Sequence, residues 1–278
     1  MAGGLGATPW VENRPSRGWR GLDLGELRDH RDLVGFLALR DVRSRYKQAV
    51  LGVGWAVLQP LVATVALVVV FRRLIDVPSD GVPYHLFALA GFTMWTYVSG
   101  TIGAVTGSLL GDPALVTKVY FPRIVVPVAA VLPGLVDLAI GTAVLGALMG
   151  VAGHAPPVAI VALPLVVLGA VVVALGAGLW LCTFNVLYRD VGHGLPFLVQ
   201  LWFFASPVAY PSSLVSESWR LVYALNPVVG LIDAARAVLL GGPLDGGIVA
   251  VSSLSALLLL VGGVLCFQRL ERRFADVI

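Results

Sequence analysis

One carboxyl group stands where chemistry inside a membrane would need it. Asp137 interrupts an otherwise uncharged run of 27 residues, 124–150, which is long enough to cross a bilayer. An ionised carboxylate at that depth costs about 2.5 to 3.5 kcal/mol, so Asp137 is expected to face protein or water. Two interpretations stay open. Asp137 carries protons for a secondary transporter, or it is hydrogen-bonded to Ser, Thr or backbone within a helix bundle.

Motifs of ATP binding and hydrolysis are missing from the sequence. The only lysines, Lys47 and Lys118, follow Tyr and Thr, so no G-x-x-x-x-G-K-[ST] loop exists to cradle a phosphate. There is also no G-x-S-x-G elbow and no H-E-x-x-H zinc motif. Cys182 and Cys266 lie in apolar runs, which favours small packed residues over a disulfide or a thiolate metal site. We predict that this chain binds no cofactor and is not an enzyme by itself.

Composition excludes an ordinary soluble domain. The chain is 58% hydrophobic and 13% charged, with a mean hydropathy of +0.90, whereas soluble domains are about 25% charged. The net charge is only +3, and 9 of the 19 Lys and Arg residues lie before residue 48. The composition indicates an all-α integral membrane protein. The placement of the charges gives it a basic amino-terminal region and disfavours nucleic acid as a partner.

The basic region is predicted to form an amphipathic helix over residues 32–48, at the membrane interface. The apolar stripe consists of Leu39, Val42, Tyr46 and Val50, and the adjoining basic stripe consists of Arg40, Arg43 and Lys47. Such a helix lies along anionic lipid with its apolar side in the lipid boundary. Whether it only anchors the chain or also docks a cytoplasmic partner stays open.

Uncharged runs predict six transmembrane helices. They cover residues 49–71, 84–110, 124–150, 158–187, 195–213 and 247–267. Pro207 and Pro211 are expected to end the fifth early. Residues 1–31 are predicted to form a mobile cytoplasmic tail. Pro9, Pro15 and several glycines favour mobility in residues 1–20, and the missing signal peptide predicts a cytoplasmic amino terminus. Residues 32–278 then form a single transmembrane domain.

The connection between spans five and six has an unusual composition. Residues 221–232 are an apolar run of 12, which is too short to cross, with Asn226 and Pro227 inside it. We interpret residues 214–240 as a re-entrant helical hairpin that dips back into the outer leaflet. A surface loop without a role in transport is the alternative.

Orientation follows from the distribution of basic residues. With six spans and both termini inside, 15 Lys and Arg lie on the cytoplasmic side and four lie outside. The expected location is therefore the plasma (inner) membrane with cytoplasmic termini. Arg72 and Arg73 are exceptions at the outer end of span one, where they either pair with Asp76 and Asp80 or snorkel to headgroups.

Five segments in register match one known family. They are residues 40–47 with Leu51, Gly52, Trp55, Gln59 and Pro60; residues 112–122 with Pro127; Asn185 with residues 188–191; Asn226 with Pro227; and residues 271–278. This pattern resembles the permease subunits of type-two ABC exporters, in particular the class that exports polysaccharides such as O-antigen and teichoic acid.

The resemblance implies a function and a set of partners. The chain would form, as a homodimer, the channel of an exporter of lipid-linked polysaccharide, with membrane lipid around it. Two copies of a separate cytoplasmic ABC nucleotide-binding subunit would bind ATP and magnesium. Residues expected to couple to that ATPase are Arg40, Asp41, Arg43, Tyr46, Lys47, Asp112, Lys118, Tyr188, Arg189 and Asp190.

Aromatic residues are candidates for the channel wall, because flat apolar faces suit sugar rings. The candidate channel residues are Trp55, Trp95, Tyr97, Asp137, Trp180, Trp202, Phe203, Phe204 and Asn226. Each aromatic residue has the alternative of packing or interfacial anchoring. Two other functions stay open, namely export of a drug or small lipid and proton-coupled transport through Asp137.

Overall fold

The computed structural model describes residues 24–47, 54–111 and 121–277, and over these residues the chain is helical without any strand. The helices are α1 Leu24–Asp29, α2 Arg31–Lys47, α3 Gly54–Leu67, α4 Tyr84–Gly111, α5 Val125–Ala129, α6 Leu132–Val151, α7 Leu163–Leu187, α8 Asp190–Phe204, α9 Glu217–Ala224, α10 Pro227–Leu240 and α11 Gly246–Val277. Val68–Leu74 extends α3 as a π-helix, and 3-10 turns cover Val158–Ala162 and Ser212–Leu214.

Within the described ranges, four segments are long and apolar enough to cross a membrane. They are Gly54–Leu74, Val125–Val151, Val158–Leu187 and Gly246–Glu271, of 21, 27, 30 and 26 residues. Each is close to a predicted span. Helices α9 and α10 pass the same test of length and apolarity only when they are counted together as one span, and they are bent by 102° at their junction.

Two predicted spans differ from this set. The second coincides with α4, which has 28 residues but is less apolar because of its Thr, Ser, Tyr and Gly content. The fifth was predicted over 195–213 and those bounds are wrong, since α8 covers Asp190–Phe204. Asp190 suits the positive amino-terminal end of a helix, so α8 begins five residues earlier. It ends before Pro207, as predicted, and its 15 residues are too short for an upright crossing.

The core is built around α7, which packs against both α4 and α11, while α6 packs against α4 and α10 packs against α4, α7 and α11. Small residues allow this close approach. A Cβ atom at Gly176 would lie 2.8 Å from the backbone nitrogen of Leu260, and one at Gly178 would lie 2.6 Å from Val105. Helix α7 therefore tolerates no side chain at these two positions.

The helix pair α9–α10, which we call the hairpin, turns by 102° at Asn226, a geometry that fits either a re-entrant segment or a broken span. The Asn226 side chain accepts a hydrogen bond from the Val228 nitrogen, and Pro227 occupies the first helical turn, where its missing N–H is not needed. Helix α10 ends at Gly241, whose φ of 75° is accessible to glycine without strain. Ser252 of α11 fixes both arms, since its hydroxyl donates to the Ala224 carbonyl and accepts from the Gly230 nitrogen.

The predicted helix is present as α2, within one residue of the predicted bounds, but the predicted apolar stripe of Leu39, Val42 and Tyr46 is not its buried side. Leu37 and Ala38 form its buried side, against α5 and α6, while Leu39 stays half exposed. Residues 1–23 and 48–50 lie outside the described residues, and Leu24–Asp29 of the predicted tail forms the short helix α1.

One of the two exceptional arginines, Arg72, forms an ion pair at the end of the π-helical extension of α3. Arg72 Nη1 lies 2.6 Å from Asp76 Oδ1, one helical turn away. Asp80 instead accepts a hydrogen bond from the Ser213 hydroxyl at 3.0 Å. Arg73 is exposed.

Candidate functional site

Asp137 is held by the interface helix. Its two carboxylate oxygens accept hydrogen bonds from Arg45 Nη1 and from the Tyr46 hydroxyl, both at the end of α2. These partners are not the Ser, Thr or backbone groups that we expected for a bundle carboxyl. Burial raises the pKa of Tyr46 to about 12, and the hydrogen bond to Asp137 acts in the same direction. Tyr46 therefore remains a proton donor at physiological pH.

Two further contacts tie helix ends together at the end of the bundle that carries α2, which we call the basic end. Arg123 Nη1 donates to the Glu271 carbonyl at 2.7 Å and so joins the start of α5 to α11. Asn185 Nδ2 donates to the Thr106 carbonyl at 3.0 Å and joins α7 to α4. Gly192 keeps space for Asn185, because a Cβ atom there would lie 2.9 Å from its Oδ1. The helices at the basic end are thus cross-linked by polar side chains.

Six of the ten predicted coupling residues are exposed at the basic end, and Asp41 and Tyr46 are half-buried there. Arg43 and Lys47 of α2 are exposed, whereas Arg40 Nη2 pairs with Asp41 Oδ1 at 2.9 Å. The loop between α7 and α8 exposes Tyr188, Arg189 and Asp190. The remaining two predictions, Asp112 and Lys118, lie outside the described residues. The described members therefore form two separate exposed patches, on α2 and at the α7–α8 loop.

Four of the predicted channel aromatics form one cluster. The Trp95 ring lies 6.2 Å from Trp202 and 5.7 Å from Phe203, both edge to face, and Phe203 lies 5.4 Å from Phe204. Such pairs contribute about 0.5–1.5 kcal/mol beyond burial. Asn226 belongs to the same cluster, since Trp202 Nε1 donates to its Oδ1 at 2.9 Å. The cluster joins α4, α8 and the turn of the hairpin.

The other predicted channel residues lie apart from this cluster. Trp55 is exposed on α3, Tyr97 is buried on α4 against Gly134, and Trp180 donates to the Leu259 carbonyl of α11 at 3.1 Å. Trp95 is itself only 6% exposed, so it supports its neighbours rather than facing an open surface. Within this chain, Trp55 and Phe204 are the channel candidates with more than half of their surface free.

Three charged residues that are either paired or buried in the structure were not among the predicted sites. Arg45 was overlooked because its partner is 92 positions away. Asp233 and Arg236 of α10 are 8% and 5% exposed and were interpreted only as the polar edge of an apolar run. The sequence signal that could have identified them is their spacing of three residues, which sets both side chains on one face of a helix.

Comparison with known proteins places the chain in a family. Residues 32–240 match the family described as ABC-2 type transporter. A protein of Myxococcus xanthus named O-antigen export system permease protein RfbA is 30% identical over 257 residues, which cover 91% of this chain and 98% of the relative. A protein of the same name from Klebsiella pneumoniae is 24% identical over 248 residues, or 89% of this chain and 95% of the relative.

Proposed function

Because the chain belongs to the ABC-2 type transporter family, we propose that it is the membrane subunit of an ATP-driven exporter of a lipid-linked polysaccharide. The observation that carries this proposal is the similarity to a protein named as an O-antigen export permease, over 91% of the chain. The substrate class is that of a cell-envelope glycan.

The proposed topology has six spans in the plasma (inner) membrane, with both termini cytoplasmic. Helix α4 is the second span, since 28 residues at 1.5 Å each measure about 42 Å. Helix α8 is a short fifth span that the hairpin completes from the outer side. The count of 15 inner against four outer basic residues supports this orientation and sets the basic end in the cytoplasm.

The proposed channel forms between two copies of the chain. Helices α3 and α8 expose broad apolar faces that include Trp55, Val65, Phe197 and Phe204, all more than half exposed. Six helices are few to enclose a polymer, so a channel shared by two copies is physically reasonable. Trp55 and Phe204 then offer flat apolar faces to sugar rings.

Energy for export comes from a separate ATPase that binds ATP and magnesium. This chain has no phosphate-cradling loop, and the two exposed patches at the basic end are proposed to dock two copies of the ATPase. Coupling needs an element whose position both proteins bias. Helix α2 has this property, because Arg45 and Tyr46 connect it to Asp137 in span three.

Deletion of the gene tests the proposal. We expect loss of the surface glycan, and restoration by this chain only when its ATPase partner is active. Export should persist when an uncoupler removes the proton gradient. Export that survives without the ATPase and stops with the uncoupler would instead support a proton-coupled carrier based on Asp137, and unchanged surface glycan after deletion would refute polysaccharide export.

A further inference from the structure

A cavity of about 180 Å³ lies at the end of the bundle opposite the basic end. It is lined by the 75–83 connection, the hairpin and the start of α11, and Phe87 of α4 forms part of its wall. Ala104 of the same helix faces α2, about 26 Å further along α4. The cavity is several times larger than the space a single water needs. In the proposed topology it lies on the outer side of the membrane.

One charged side chain in the wall, Arg236, is held by hydrogen bonds and an aromatic contact within the protein. Arg236 donates from Nη2 to the Val208 carbonyl at 2.7 Å and from Nε to the Phe87 carbonyl at 3.3 Å. Its guanidinium carbon also lies 3.4 Å from the centre of the Phe87 ring. Gly91 makes the room, because a Cβ atom there would lie 2.6 Å from Arg236 Nη2. Arg236 is therefore a fixed part of the wall.

Two carboxylates in the wall are also occupied in part. Asp245 caps α11 by accepting hydrogen bonds from the Gly247 and Ile248 nitrogens at 2.9 and 3.2 Å. Asp80 accepts the Ser213 hydroxyl. These contacts hold the rim of the cavity in place and leave each carboxylate with further acceptor capacity.

Arg220 and Asp233 are the two remaining charged groups in the wall. The Nε atom of Arg220 is buried and has no hydrogen-bond partner among the described residues. Asp233 is only 8% exposed, lies one turn before Arg236 and accepts a hydrogen bond from the Ser212 side chain. Buried donors without partners are rare in proteins, and the remainder of the Arg220 side chain lines the cavity. A guanidinium donor and a carboxylate acceptor therefore line the same cavity, which is partly open to the surface.

The chemistry of this wall selects a hydroxyl-rich ligand. A hydroxyl group both donates and accepts, so it satisfies a carboxylate and a guanidinium together. A bare anion would meet three carboxylates, and a bare cation would meet two guanidinium groups. The geometry points to a site for one sugar unit of a glycan on the outer side, formed by Arg220 and Asp233. This inference rests on the proposed function for the origin of the sugar.

Thiol protection tests the site without knowledge of the glycan. In a background with Cys182 and Cys266 replaced by Ser, Ser213→Cys at the cavity rim is labelled from outside with a membrane-impermeant maleimide. We expect labelling at least about threefold slower in cells that make the glycan than in cells blocked in its synthesis. Ser216→Cys, which is exposed outside the cavity, is the matched control and should label equally in both.

Substitution of the two ligand groups gives the second measurement. Arg220→Gln and Asp233→Asn should each remove the protection of Ser213→Cys and lower export about tenfold at equal protein level, whereas Glu217→Gln on the exposed side of α9 should do neither. Equal labelling of Ser213→Cys with and without glycan, in a protein that still exports, would overturn the sugar site alone. Surface glycan that persists after gene deletion would overturn the proposed function, and this source of the sugar with it.

Discussion

Asp137 of α6 and Arg45 of α2 form an ion pair across 92 positions of the chain. Tyr46 donates to the same carboxylate, so the end of α2 is fixed to α6 at two points. The carboxyl that the sequence marks as the best candidate for proton transport therefore connects two helices. We call this contact of Asp137 with Arg45 and Tyr46 the joint.

The joint should matter more for coupling than for stability. Arg45 and Asp137 side chains are 44% and 30% exposed, and a pair of this kind contributes about 0–1 kcal/mol. We expect Asp137→Asn and Arg45→Gln to leave the melting temperature nearly unchanged but to lower export per ATP hydrolysed several-fold. The double variant Arg45→Asp/Asp137→Arg should recover part of the loss, while Arg31→Gln at the exposed start of α2 is the control. Wild-type export by both single variants would remove the joint from the mechanism.

The exposed basic side chains of α2 are predicted to dock the ATPase. Replacing Arg40, Arg43 and Lys47 together by Gln should keep the protein in the membrane, because the apolar spans hold it there. The amount of ATPase that copurifies should fall, or hydrolysis should continue without export. Replacement of Arg72 and Arg73 at the other end of the bundle is the control. A fully assembled complex with wild-type export would reduce α2 to a membrane anchor.

The hairpin is predicted to return to the side from which it starts. In the same background without native cysteines, Ser216→Cys and Asp245→Cys should both react with a reagent applied from outside, since the 102° bend lies between them. His193→Cys, exposed at the start of α8, should react only after permeabilisation. Opposite accessibility of Ser216→Cys and Asp245→Cys would make α9 and α10 a broken span.

Gly91 is predicted to be essential for packing. A Cβ atom there would lie 2.6 Å from Arg236 Nη2 and 2.8 Å from the Val208 carbonyl oxygen, so Gly91→Ala should displace both. Overpacking of this kind costs about 1–3 kcal/mol, and the melting temperature in detergent should fall accordingly. Gly103→Ala lies on the same helix with nothing within 4 Å and should be neutral or slightly stabilising. Equal melting temperatures for the two variants would contradict the packing of Arg236.

Much of the helical architecture could be predicted from local features of the sequence. Crossing hydrocarbon requires about 20 apolar residues, so long uncharged runs mark four of the spans wherever they occur. Pro207 and the Asn226–Pro227 pair end or start helices through their own backbone chemistry, which any neighbour would leave unchanged. The family resemblance likewise depends on short segments in a fixed order.

Tertiary structure decided which side chains meet. Asp137 is bound by Arg45 and Tyr46, and Arg236 lies on the Phe87 ring, through contacts between residues 91 to 149 positions apart. No local pattern encodes such pairs, because hydropathy fixes that a helix is buried in a bilayer but not how it is rotated against its neighbours. That rotation follows from close packing at glycines such as Gly91 and Gly176, whose missing side chains have meaning only once the opposing surface is present.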